Sequence, residues 1–441
     1  MKKMKLWNLA WPIFIETVLF MMLGFVDVFV LSRSDDLAAS SVNTANQATS
    51  IATIVFTVIC TASAVMISQY LGAKKREAAS RVAALSLTFN LIFGLVVSAV
   101  FVFFGESILR FVGAKGDVLR LSWDYLSVVG GFIFLQAVLS SMAVIIRNHG
   151  MTRVSMYVTV GMNILNTALD IVLVLGLFGF PKMGVKGVAI ATTLSRGLGV
   201  LVLGWVLFTK LEKFSIFKLL RPFPKEDVHN IIKIGVPSAL ETFLYNISQL
   251  VITSIVLNCL TQEELITKTY VQNITMFFYI FSSAIGQASQ ILIGHLIGAK
   301  EYEQARVQAY KSHRWALAVS MSACAVGLLL RKELMDIFTD NPVVISLGAS
   351  ILFVNVILEI GRTTNLVIIA CLRGTGDVLY PTLCAIFSMI FISTLGSYLL
   401  AVVFDMGIYG LWIANAADEC VRGGLMLLRW KSGKWREKRL A

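Results

Sequence analysis

The chain has 441 residues, of which 57% are hydrophobic and 15% charged, and its mean hydropathy is +0.78. A soluble domain carries roughly a quarter charged residues, so this composition excludes a water-soluble globular protein and makes lipid the solvent for most of the chain. The net charge of +12 does not point to nucleic acid. Lys and Arg gather in short clusters between apolar stretches and form no basic stripe interleaved with aromatic residues.

A membrane-spanning helix needs about 20 mostly apolar residues. In chain order, such stretches lie at 8–31, 42–69, 82–104, 123–146, 155–178 and 187–209, then at 234–257, 269–296, 314–331, 346–371, 379–404 and 408–429. The stretch 314–331 is the shortest. The N-terminal MKKMKLWNLAW runs into the first stretch with no small-residue cleavage site, so it reads as a retained helix and not a signal peptide. The expected fold is all-α and integral to the membrane, with twelve transmembrane helices.

Of the 38 Lys and Arg, 26 fall on the side of the termini, among them Lys74, Lys75, Arg76, Arg147 and Arg373. Nine fall on the other side, including Arg33, Arg110 and Lys182. The positive-inside rule then places both termini in the cytoplasm, as an even number of spans requires. A multi-pass protein of the cytoplasmic (inner) membrane follows.

The sequence repeats itself. WPIFIET at 11–17 matches VPSALET at 236–242, pairing Pro12 with Pro237 and Glu16 with Glu241 at an offset of 225. LGAKKREAA at 71–79 matches IGAKEYEQA at 297–305 at 226, and MGVKG at 183–187 matches MGIYG at 406–410 at 223. Arg147 and Gly150 match Arg373 and Gly376, again at 226. These matches divide the chain into an N-terminal six-helix half (1–210), a cytoplasmic linker (211–233) and a C-terminal six-helix half with a basic tail (234–441). Six spans per half start both halves on the same side, so the repeats are parallel, as in transporters that work two bundles about a central site.

Charged residues inside spans are costly and usually functional. The acids are Glu16, Asp27, Asp170, Glu241, Glu359, Asp418 and Glu419, and the cations Arg196, Arg362 and Arg422. This acidic surplus suits cationic substrates or coupling cations. Asp27 follows Pro12 by 15 residues, on a helix that the proline can bend. Asn166 and Asp170 are four apart and share a helix face, an amide oxygen and a carboxylate suited to Na⁺. Beside Asp27, Asp170 would form a carboxylate pair sharing a proton.

Glu16 and Glu241 either line a central cavity symmetrically or each satisfy a backbone group or Arg within their own half. Gln47, with Asn43 and Asn46, is a candidate to touch substrate. Glu359 and Arg362 are spaced as an i, i+3 pair, and Asp418, Glu419 and Arg422 as a similar local network. The six cysteines have neither metal-clip nor redox spacing. The four histidines sit in loops or at helix ends, and no nucleophile has a nearby base, so no enzyme chemistry is read.

These residues resemble the MATE (multidrug and toxic compound extrusion) transporter family. The likeness rests on WPIFIETVLFMMLGFVDVF at 11–29, SQYLGAKKREAA at 68–79, NTALD at 166–170 and MGVKGVAIATTLS at 183–195, with their counterparts in the second half. It covers essentially the whole chain. The resemblance implies a V-shaped pair of six-helix lobes and a monomer that exports small cationic, often aromatic compounds by Na⁺ or H⁺ antiport, with no cofactor beyond the coupling ion.

It also implies a cation site, with Na⁺ as a possible metal, at Asp27, Asn166, Asp170 and a threonine of the sixth span. Thr192 fills that place, with Thr193 as the neighbouring option. Pro12 corresponds to the family's bending proline, and Pro237 to its repeat. A C-lobe acid found in some members eight residues after the second proline is Tyr245 here, with Glu241 at four. The alternative is a flippase for lipid-linked precursors of related fold, whose anionic headgroup calls for a cavity rich in Arg and Lys.

Overall fold

The computed structural model describes residues 4–32, 36–211 and 221–438. Arg33, linker residues 212–220 and the last three residues of the tail lie outside them. In lipid every backbone N–H and C=O must be satisfied within the segment, and long apolar runs answer with helices. Among the described residues there is no strand.

The first half contains α1 (Leu6–Ser32), α2 (Asp36–Gly72), α3 (Arg76–Phe111), α4 (Gly116–Gly131), α5 (Ile133–Asn148), α6 (Thr152–Leu175) and α7 (Val185–Lys210). The second contains α8 (Lys225–Cys259), α9 (Gln262–Gly298), α10 (Tyr302–Leu329), a short α11 (Arg331–Asp336), α12 (Pro342–Thr375), α13 (Leu379–Val403) and α14 (Gly407–Lys431).

Eight of these helices are each long and apolar enough to cross a membrane, and α4 with α5 forms a ninth span. The helices α1, α10 and α14, at 27, 28 and 25 residues, complete twelve. Every predicted span has its helix, but two differ in form. The fourth, expected as one helix over 123–146, is two helices bent by 48°. The Gly130–Gly131 pair ends α4 there, and Phe132 leaves helical geometry at φ −108° and ψ 18°. The ninth, expected at 314–331, begins at Tyr302. Its first turns carry Arg306, Lys311 and Arg314, so a count of apolar residues starts late.

The duplication extends to the backbone. Lys74 and Lys300, equivalent in the repeat, both take left-handed φ, 61° and 62°. The glycines after the paired arginines do the same, Gly150 at 80° and Gly376 at 92°. Each sits where one helix stops and the chain must reverse into the next.

The chain forms two compact units, one of Ile15–Ile67 and Lys75–Gly235, the other of Met1–Phe14, Ser68–Lys74 and Val236–Ala441. The first has a core that includes Leu31, Val42, Phe56, Leu126 and Val185. The second has one core around Ile285, Ile297, Ile368 and Trp430, which Leu9 and Ile13 of α1 join, and another around Ile252, Val271, Leu352 and Trp412. Large apolar side chains that remain exposed, such as Phe103 on α3 and Leu201 and Trp205 on α7, suit a lipid-facing surface.

Candidate cation site

Among the described residues, seven Asp and Glu side chains are buried: Glu16, Asp27, Asp170, Asp227, Glu359, Asp377 and Asp418. An isolated buried carboxylate is costly, and the usual remedy is a cationic partner. Five have one. Asp227 is held by Arg81 at 2.6 Å, Glu16 by Arg147 at 3.3 Å, Glu359 by Arg362 at 3.4 Å, Asp377 by Arg429 at 2.7 Å and Asp418 by Arg422. Asp27 and Asp170, 4% and 0% exposed, make no ion pair among the described residues.

These two acids meet instead. Asp27 comes from α1 and Asp170 from the last two turns of α6, and their carboxyl groups are in hydrogen-bond contact. Asn166, one turn before Asp170, places its side-chain amide 3.1 Å from Asp27 Oδ1 and 3.3 Å from Asp170 Oδ2. Turned one way, the amide nitrogen donates to both carboxylates; turned the other, its oxygen becomes a third acceptor aimed at the same point. Packing of α6 on α7 brings the Thr192 hydroxyl to 3.4 Å from the Asn166 amide.

Two carboxylates, an amide and a hydroxyl thus converge in a water-poor interior, a donor set of hard oxygens that fits Na⁺ or a shared proton. Tyr125 of α4, also buried, stands beside Thr192. Sequence reading missed it, because a tyrosine in an apolar stretch has no spacing that marks it. Beside this group lies a cavity of about 350 Å³ lined by Phe20, Gln136, Asn163, Asn166, Thr192 and Arg196.

The other candidate residues lie elsewhere. Glu16 takes Arg147 and accepts a hydrogen bond from Ser155 at 2.9 Å. Glu241 repeats this with Arg373 at 2.7 Å and Thr382 at 3.2 Å. Each is therefore tied to an Arg within its own unit. Gln47 is exposed on α2. Pro12 and Pro237 lie inside α1 and α8, each withholding one intrahelical donor.

The pairs expected on the tenth and twelfth spans do form, and they merge. Arg362 reaches Glu419 at 3.8 Å as well as Glu359, and Arg422 reaches Glu419 at 3.2 Å as well as Asp418. One network thus joins α12 to α14, beside a polar cavity of about 520 Å³ that Tyr245, Gln249 and Asn415 help to line.

A duplicated set of six spans, with ion-capable oxygens buried inside one unit, is the architecture of a membrane transporter. The family model MatE matches residues 12–172 and 237–399, and the chain belongs to the MATE family of multidrug efflux transporters. It is 37% identical over 440 residues to the transporter YisQ of Bacillus subtilis, covering 100% of this chain and 96% of that one. It is 30% identical to the probable multidrug resistance protein NorM of Thermotoga maritima, covering 98% and 92%. The fold superposes on a crystal structure of MATE in the bent conformation with a TM-score of 0.89 at 21% identity, covering 97% of this chain and 94% of that one.

Proposed function

We propose that the protein is a secondary antiporter of the bacterial cytoplasmic membrane, with both termini inside. It exports small cationic or amphipathic organic compounds in exchange for Na⁺ or H⁺. The observation that carries this reading is the Asp27–Asp170 pair, the two buried acids without a cationic partner among the described residues. Two carboxylates without an ion pair in a low-dielectric interior demand a positive species, and an entering cation or proton supplies it.

Asp27, Asn166, Asp170 and Thr192 form the coupling site. An organic cation and the coupling ion satisfy the same carboxylates, so binding of one favours release of the other, which is the requirement for exchange. All four residues belong to a single chain, so a monomer suffices. Pro12 lies four turns before Asp27 on α1 and gives that helix a place to bend as the site changes its occupant. The flippase alternative needs a site rich in free cations, whereas four of the arginines within the spans are committed to carboxylates.

The test is efflux of ethidium from proteoliposomes under an imposed Na⁺ or H⁺ gradient, for wild type and Asp27→Asn. The expected result is gradient-driven efflux that falls to the protein-free background in the variant, with the effective gradient naming the ion. Efflux that survives Asp27→Asn would remove the site from the mechanism. Absence of efflux in the wild type would remove the organic-cation reading.

A further inference from the structure

Arg196 is the cation that the coupling set leaves unused. It follows Thr192 by four residues on α7, so both side chains leave the helix on one face. Arg196 lines the same cavity as Asn166 and Thr192. The other arginines embedded in the spans each hold a carboxylate: Arg147 on Glu16, Arg362 on Glu359, Arg373 on Glu241 and Arg422 on Asp418. Among the described residues Arg196 makes no ion pair, yet its charge and that of Asp27 act on each other. Among the described residues, Tyr125 on α4 is the other titratable group whose charge bears on it.

A guanidinium does not lose its proton in proteins, so its charge is a fixed part of the site. Two ionised carboxylates carry two negative charges, and one nearby guanidinium offsets one of them. The remainder is a single negative charge, which one monovalent cation neutralises. Without the guanidinium the same oxygens would call for two positive charges, either two protons or Na⁺ with a proton.

We propose that Arg196 is a built-in counter-charge that limits the Asp27–Asp170 site to one positive charge at a time, so that one coupling cation exchanges for one monovalent organic cation. This rests on the antiport reading above and adds a stoichiometry to it. Exchange of one charge for one charge moves no net charge across the membrane. Exchange of two for one moves a positive charge inward and is accelerated by an inside-negative potential.

The experiment uses the same proteoliposomes and ethidium, with a potassium diffusion potential set by valinomycin. Wild type and Arg196→Lys, which keep the positive charge, are expected to export ethidium at a rate independent of the potential. Arg196→Met is expected to become potential-dependent, its limiting ethidium gradient moving up to about tenfold for 59 mV, the value of one transferred charge.

A potential-dependent wild type, or an active Arg196→Met that ignores the potential, would overturn the assignment. Should Arg196→Met not transport, ethidium binding to the purified protein, read by its fluorescence, decides. Removal of the positive charge beside the site should tighten binding at least about tenfold, and unchanged or weaker binding would overturn the proposal. A wild type with no gradient-driven efflux would fail at the antiport reading itself, which is a different result.

Discussion

Glu16 and Glu241 hold equivalent places in the two repeats, and each takes an arginine from the fourth span of its own unit. Breaking such a pair leaves a partly buried guanidinium, 20% exposed at Arg147 and 22% at Arg373, without its counter-charge, at a cost of up to about 3–5 kcal/mol. Glu16→Gln should therefore lower the midpoint of thermal unfolding in detergent, and the double variant Glu16→Gln, Arg147→Met should recover most of the loss. A double variant no better than the single one would show that the two side chains are not coupled. The opposite sign is expected at Asp27. Removing one of two carboxylates that face each other without an ion pair relieves their repulsion, so Asp27→Asn should melt at least about 2 °C higher while coupling is lost. An Asp27→Asn protein that melts lower would mean that the pair stabilises the fold. At this scale the acids were legible in the sequence, since any carboxylate in a 20-residue apolar run stands out. Their sorting into paired and unpaired was not, because Arg147 and Arg373 lie more than 130 residues from their partners. Arg196 was visible as an intramembrane cation, and its four-residue spacing from Thr192 was the unused signal that would have placed it at the site.

Helices α2 and α9 cross where the repeated LGAK and IGAK motifs end them. Ser68 and Gly72 on α2 face Gly294 and Gly298 on α9, a small residue at each end of a four-residue step on both helices. A Cβ on Gly72 would overlap the His295 carbonyl, and a Cβ on Gly298 the Gln69 carbonyl. Backbone cannot yield as a flexible side chain does. The Gln69 side chain ties the crossing further by donating to the Gly374 carbonyl at 2.9 Å. Gly298→Ala and Gly72→Ala should each cost about 1–3 kcal/mol through overpacking, read as a lower unfolding midpoint, whereas Gly424→Ala, whose Cβ meets open space, should cost no more than the usual surface change. Equal effects at Gly298 and Gly424 would contradict the close crossing. The motif was legible as a repeat, but its physical reason was not, because a match between two segments does not say that they touch. Element ends were equally hidden. Apolar residues mark only what lies in hydrocarbon, while α2, α9 and α12 continue for a turn or more into polar sequence.

At the scale of the whole molecule, the twelve spans and the parallel duplication were legible, because lipid enforces long apolar runs and both halves preserve their order. The orientation rests on where 26 of 38 Lys and Arg fall, and α8 and α9 give a direct way to test it. The chain turns between Cys259, at the end of α8, and Gln262, at the start of α9. It turns again after Gly298, at Lys300, so Cys259 and Lys300 sit at opposite ends of a helix of 37 residues. At about 1.5 Å per residue that helix is longer than the membrane is thick, so the two positions lie on opposite faces. Cys259 is exposed, while Cys60, Cys324 and Cys371 are buried and Cys384 and Cys420 only partly accessible. A membrane-impermeant maleimide applied to intact cells should therefore label the wild-type protein chiefly at Cys259. Cys259→Ser should abolish most of that labelling. In the same background, Lys300→Cys should react only after the membrane is permeabilised, since the cluster around Lys300 is expected in the cytoplasm. Labelling of Lys300→Cys in intact cells, with Cys259 protected until permeabilisation, would invert the protein. It would also reverse the direction in which a cation gradient must be imposed to drive export.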